Sequence, residues 1–160
     1  MAKNVSNNFK NVIKEGGPFY AYASVLLADG STQTMTSETD FSQTGNSYSE
    51  DGETGFPLGS ALSKSITLNV DATSRSEDVD YYQARITLYT EADLPDGTTE
   101  RIQEGIFTVI DSVTPGEILE ITAYDDMYKA DVPFTSLLTY PVSAQMLLNE
   151  VCSQCGITLG

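Results

Sequence analysis

Apolar residues recur along this chain with two different periods, and each period predicts its own kind of element. In residues 5–13, Val5, Phe9, Val12 and Ile13 fall at spacings of four, three and one, which is one face of a short helix that Gly16 and Gly17 end. Residues 18–28 then bring the aromatic and branched run Phe19-Tyr20-Ala21-Tyr22-Ala23-Ser24-Val25-Leu26-Leu27. Asp29-Gly30 follows, and residues 32–36 alternate, so a β-hairpin is predicted. Residues 37–60 are dominated by Ser, Thr, Gly, Asp and Glu, with Phe41, Tyr48 and Phe56 isolated among them, and read as a long loop.

Period two returns at Ile66, Leu68 and Val70, which share one face of a half-buried strand. After a polar, turn-like stretch at 71–80, Tyr82, Ala84, Ile86, Leu88 and Thr90 alternate along a longer one. Pro95-Asp96-Gly97 supplies the next turn. Three further strands are expected at 98–103, 105–112 and 117–124, with Pro115-Gly116 turning between the last two. Asp125 can cap a short helix that Pro133 stops. Ser143 is a good N-cap for a second helix, whose stripe is Ala144, Leu147, Leu148, Val151, Cys152 and Cys155 and whose end is Gly156.

Short strands at close spacing, joined by tight turns, indicate a mainly β (α+β) fold: an antiparallel β-barrel or sandwich with a short N-terminal helix and a C-terminal helix. A barrel would also hide its strand edges. Three parts are expected: an N-terminal helical arm at 1–16, a β domain at 17–123, and the helical start of a following domain at 124–160. Ile157-Thr158-Leu159-Gly160 reads as an element only begun. The arm carries Lys3, Lys10 and Lys14 against Glu15, a locally positive piece suited either to docking or to capping the sheet.

Charge narrows the partners. Eight basic residues against 23 acidic ones leave a formal net charge of -15, which repels phosphate backbones and anionic lipid, so neither specific nucleic acid nor a membrane surface is an expected partner. A solvated surface accounts for the acidity; a calcium site or a basic partner are the alternatives. The N-terminal stretch holds no apolar run of signal-peptide kind. Two closely spaced cysteines make no disulfide framework, so folding in a reducing cytoplasm is expected.

With no His in the chain, Ser-His-Asp and Cys-His arrangements and mixed imidazole–thiolate zinc sites are excluded, and no enzyme activity and no cofactor are expected. Cys152 and Cys155 are two of the four ligands zinc needs. They lie at a helix C-terminus, where the dipole opposes thiolate, so they are read as small hydrophobes facing a core. The carboxylate pairs Asp78 with Asp80, Asp93 with Asp96, and Asp125 with Asp126 sit beside turn residues and are read as local hydrogen-bond acceptors. Residues 50–53 are acidic but lack the spacing of a calcium loop.

Several segments, in this order, resemble the N-terminal hub region of tail-tip or baseplate proteins from phages and prophages of Gram-positive bacteria. They are Gly17-Pro18-Phe19-Tyr20-Ala21-Tyr22-Ala23 running into Leu27-Ala28-Asp29-Gly30-Ser31, then Gly105-Ile106-Phe107-Thr108-Val109, then Ile121-Thr122-Ala123-Tyr124-Asp125-Asp126-Met127-Tyr128-Lys129. The most specific are Leu138-Thr139-Tyr140-Pro141 and Cys152-Ser153-Gln154-Cys155-Gly156-Ile157-Thr158-Leu159, with Leu147-Leu148 between them. Asp126 departs from the neutral or basic residue common at that place. The resemblance implies a structural virion protein, made in a bacterial host cytoplasm and placed at the tail tip. There it would join the tail tube through the tube or distal tail protein, surround the tape-measure protein or a DNA channel, and self-associate as a trimer through a second barrel further along. A carbohydrate-binding sandwich, calcium-assisted and with loop tyrosines such as Tyr48 stacked on sugar rings, is the alternative expectation.

Overall fold

A computed structural model describes residues 5–50, 63–74, 79–114, 116–130 and 132–157. Helix α1 (Asn7–Glu15) leads into β1 (Tyr20–Leu26), β2 (Thr32–Thr36), β3 (Ser47–Glu50), β4 (Lys64–Asp71), β5 (Arg85–Asp93), β6 (Thr99–Val113) and β7 (Ile118–Tyr124); α2 (Ala144–Cys155) follows. The strands form one antiparallel sheet in the order β2-β1-β5-β6-β7-β4-β3. The sheet is not closed, so of the two architectures expected the sandwich-like one is formed.

A single sheet becomes a sandwich here because β6 is long enough to serve both halves. Its residues 99–108 pair with β5, and its residues 108–113 pair with β7. Each pairing contains one extra residue on β6: Glu104, opposite the step from Leu88 to Tyr89, and Ile110, opposite the step from Thr122 to Ala123. Such bulges bend and twist a strand. Every strand except β3 contributes fully buried residues to one core, with Val25, Met35, Ile66, Val70, Ile86, Phe107, Val109 and Ile121 at its centre. Gly105 lies under the Phe107 ring, where an added Cβ would come within 2.8 Å of ring carbons.

Helix α1 covers the part of the sheet this core does not reach. Phe9 and Val12 pack on Ala92 and Leu94 beside Ile102, at the far end of the β5–β6 hairpin. The Ser6 N–H donates to Glu100 Oε1 at 3.0 Å and Asn8 Nδ2 donates to Asp96 at 3.1 Å, tying the helix to that hairpin. Ser6 caps α1 through Phe9 N, a role the sequence reading did not assign, and Gly16 ends the helix at φ 68°, as the sequence predicted. Ile13, placed by its spacing on the buried face, is instead 54% exposed, and the contact with the hairpin is made by Phe9 and Val12, with Val5 partly buried beside them.

One five-residue turn is used twice. Leu27-Ala28-Asp29-Gly30-Ser31 and Leu94-Pro95-Asp96-Gly97-Thr98 both return the chain through a positive-φ glycine, with the Leu N–H bonded to the carbonyl of the fifth residue. In each, one Asp oxygen accepts both the N–H and the O–H of the residue two places on, at 2.6–3.0 Å; Asp71 does the same for Thr73.

Several sequence expectations need correction. The two strands expected at 98–103 and 105–112 are the single strand β6, because Gly105 accompanies a bulge and does not break the ladder. Tyr82 is not in a strand: Tyr82 and Gln83 form a turn, Gln83 at φ 60°, and β5 begins at Arg85. The stretch read as a loop from 37 to 60 contains the edge strand β3, with Tyr48 opposite Ile66, and a bridge from Phe41 to Val70; its remainder from 51 lies outside the described residues.

Candidate functional site

The residues singled out after the sheet fall into two groups. Tyr124 is the last residue of β7, opposite Ser65 and Thr108, and the Asp125 N–H continues the ladder by donating to the Lys64 carbonyl at 2.9 Å. Asp125 then accepts from the Met127 N–H at 3.1 Å and starts a 3-10 turn over Asp126–Ala130, where a short helix was predicted. Within that turn Lys129 Nζ donates to Asp126 Oδ1 at 2.8 Å, and Arg85 approaches the other oxygen at 3.6 Å. The Lys129 hydrogen bond, aided by both cations, holds the Asp126 carboxyl below its ordinary value of 3.8.

Beside this turn lies a half-enclosed hollow of about 350 Å³. Tyr82, Gln83, Tyr124, Asp125, Tyr128 and Lys129 line it, and its floor is the bulged stretch of β6 from Thr108 to Ile110. The Tyr124 and Tyr128 rings lie 5.1 Å apart, inclined at 36°. The motif read from the sequence thus supplies four of the lining residues. Tyr82 and Gln83 were missed as site residues, being 40 positions distant and read as ordinary strand. The one local signal available was a polar residue following a run of turn residues.

The second group lies on α2 and the segment leading to it. Ser143 caps α2 through Met146 N at 3.2 Å, and Gly156 ends it at φ 66°, with Ile157 N donating to the Cys152 carbonyl at 2.8 Å. Glu150 bonds Ser136 Oγ at 2.7 Å and Leu137 N at 2.5 Å, and Gln154 Nε2 bonds the Thr135 carbonyl at 3.0 Å, so the preceding segment is pinned to the helix. Tyr140 and Pro141 share a cis peptide bond and both are exposed.

Cys152 and Cys155 are free thiols, each half-buried, and neither belongs to a core cluster. The expectation that they face a core is therefore corrected: α2 rests on the 3-10 turn and the segment before it, and no residue of the helix is fully buried. Leu137 is 85% exposed and Tyr140 60%, with Val132, Phe134, Met146 and Leu148 each exposed by about half. This is a band of large apolar side chains in solvent.

Tyr48, considered for sugar stacking, packs its ring edge-on to Phe107 at 6.2 Å, and its hydroxyl accepts from Lys64 Nζ at 3.1 Å. On the outer face of the sheet, the Arg101 guanidinium lies 3.8 Å from the centre of the Tyr22 ring and is paired with Glu91. Among the described residues no group of His, Cys, Asp or Glu could hold a metal ion, and no helix is long and apolar enough to cross a membrane. Asp78 and the acidic run from Asp51 to Glu53 lie outside the described residues. The Asp80 and Asp93 carboxylates accept from Tyr82 N and Thr99 Oγ1. No protein-family model matches the chain, and no curated protein is found to be similar to it in sequence.

Proposed function

We propose that this chain is a structural subunit of a bacteriophage or prophage tail, the N-terminal hub part at the tail tip or baseplate that joins the tail tube to the tip. The observation that best supports this reading is the apolar band from Val132 to Leu148. A sandwich with a well-packed core leaves six large apolar side chains exposed within one 17-residue segment, and exposed apolar side chains gathered in this way favour a surface that another protein covers. The residues of that stretch also include Leu138-Thr139-Tyr140-Pro141 and Leu147-Leu148, among the most specific parts of the resemblance. Its partners in this reading are the tail tube or distal tail protein, the tape-measure protein and further copies of the hub. Its role is assembly, without catalysis.

Antibodies to the chain, applied with gold labelling to particles induced from the source culture, test the reading. Label at the distal tail supports it; permeabilised tails that carry no label anywhere refute it. A variant with Leu137→Asp and Leu148→Asp, both exposed, keeps the fold and is expected to drop out of assembled tails.

A further inference from the structure

We propose that the hollow between the Tyr82–Gln83 turn and the Tyr124–Lys129 turn binds a neutral saccharide unit. This inference does not rest on the assembly reading, since none of the residues that line the hollow belongs to the Val132–Leu148 stretch.

Three departures from regular backbone meet there: the positive φ of Gln83, the extra residue Ile110 in β6, and the 3-10 turn that follows β7. A left-handed conformation at a residue other than glycine or asparagine is strained and persists only where its surroundings impose it. Here the Gln83 N–H bonds the Val109 carbonyl at 3.0 Å and Val109 N bonds the Ala84 carbonyl at 2.9 Å, which holds the turn against the bulged strand. The consequence is positional. Gln83 is set on the rim of the hollow opposite the motif residues, and Tyr82 is 54% exposed beside it.

The lining has the chemistry of a sugar site. A pyranose ring offers one face of C–H groups and a periphery of hydroxyls; the first packs on aromatic rings, and the second needs donors and acceptors in fixed places. Tyr82, Tyr124 and Tyr128 supply rings and phenol hydroxyls, Gln83 an amide, and Asp125 a carboxylate. Charge argues for a neutral ligand. The two charged lining residues, Asp125 and Lys129, are of opposite sign, and Asp126 beside them pairs with both Lys129 and Arg85. The volume of about 350 Å³ falls in the range of small-ligand sites.

The test is a nuclear magnetic resonance titration of the full chain with the methyl glycosides of glucose, galactose, rhamnose and N-acetylglucosamine, and separately with tetramethylammonium. At least one glycoside is expected to give saturable shifts at Tyr82, Gln83, Tyr124 and Tyr128. Tyr128→Ala, at a half-exposed ring, should weaken that binding about fivefold to tenfold. Gln83→Gly removes the amide while keeping the left-handed backbone, and should weaken it about fivefold with the fold intact. No saturable shift at these residues with any glycoside overturns the proposal. So does binding of tetramethylammonium alone, which would make the hollow a cation cage, and so does glycoside binding that both variants leave unchanged.

Discussion

Asp29, Asp71 and Asp96 each spend one carboxylate oxygen on two donors of the residue two places on, and the side-chain donor is the larger cause of the lowered pKa in all three. Because the folded pKa lies below the ordinary value of 3.8, the unfolded chain binds protons first as pH falls. The stabilisation is complete above the unfolded value and is lost on descending through the folded one. Replacing all three by Asn keeps an acceptor but removes the titration, so the melting temperature of that variant should fall less than the parent's between about pH 5 and pH 3. Equal falls would show that other groups dominate acid unfolding. At Gly105 the constraint is steric: Gly105→Ala drives a methyl group into the buried Phe107 ring and should cost about 1–3 kcal/mol in urea unfolding. Adding Phe107→Leu should make the alanine less costly, a coupling that a double-mutant cycle reads directly. Turn and cap residues such as Gly30, Gly97, Ser143 and Gly156 were legible in the sequence because their roles are local. Gln83 was not, since its backbone conformation is imposed by Val109 from across the sheet.

At the level of elements, the two helices differ in what supports them. Helix α1 buries Phe9 and Val12 on the β5–β6 hairpin, so Phe9→Ala should lower global stability by about 3 kcal/mol. Helix α2 buries nothing fully, so loss of its cap by Ser143→Ala, worth about 1 kcal/mol locally, should speed amide exchange within α2 and leave the unfolding midpoint of the sheet unchanged. Both helices were readable from spacing and caps. Their burial was not, because an apolar stripe states that a face needs covering and says nothing of what covers it. The same distinction revises the thiols: Cys152 and Cys155 should react with a labelling reagent at a rate that follows opening of α2, faster than unfolding of the sheet. Equal rates of labelling and global unfolding would contradict this. Strand β3 escaped notice for a different reason. Its Ser-Tyr-Ser-Glu sequence lacks an apolar face, and it is a strand because β4 offers an unpaired edge.

For the whole molecule, the alternating patterns of the main strands were enough to predict a mainly β fold, and the open edge decided between sandwich and barrel. The candidate hollow was only half legible: the 124–129 motif announced itself, while its other wall comes from a turn whose position depends on how the sheet folds over. The consequence of β6 belonging to both halves is kinetic and mechanical. Neither half can separate from the other without breaking a backbone ladder in the middle of the shared strand. The sandwich should therefore unfold in one step. Amides of β5, β6 and β7 should exchange with a common free energy, and a pulling force applied across the sheet should meet one rupture event in place of a sequence of them. A domain built this way would pass a load from one side to the other as a rigid link.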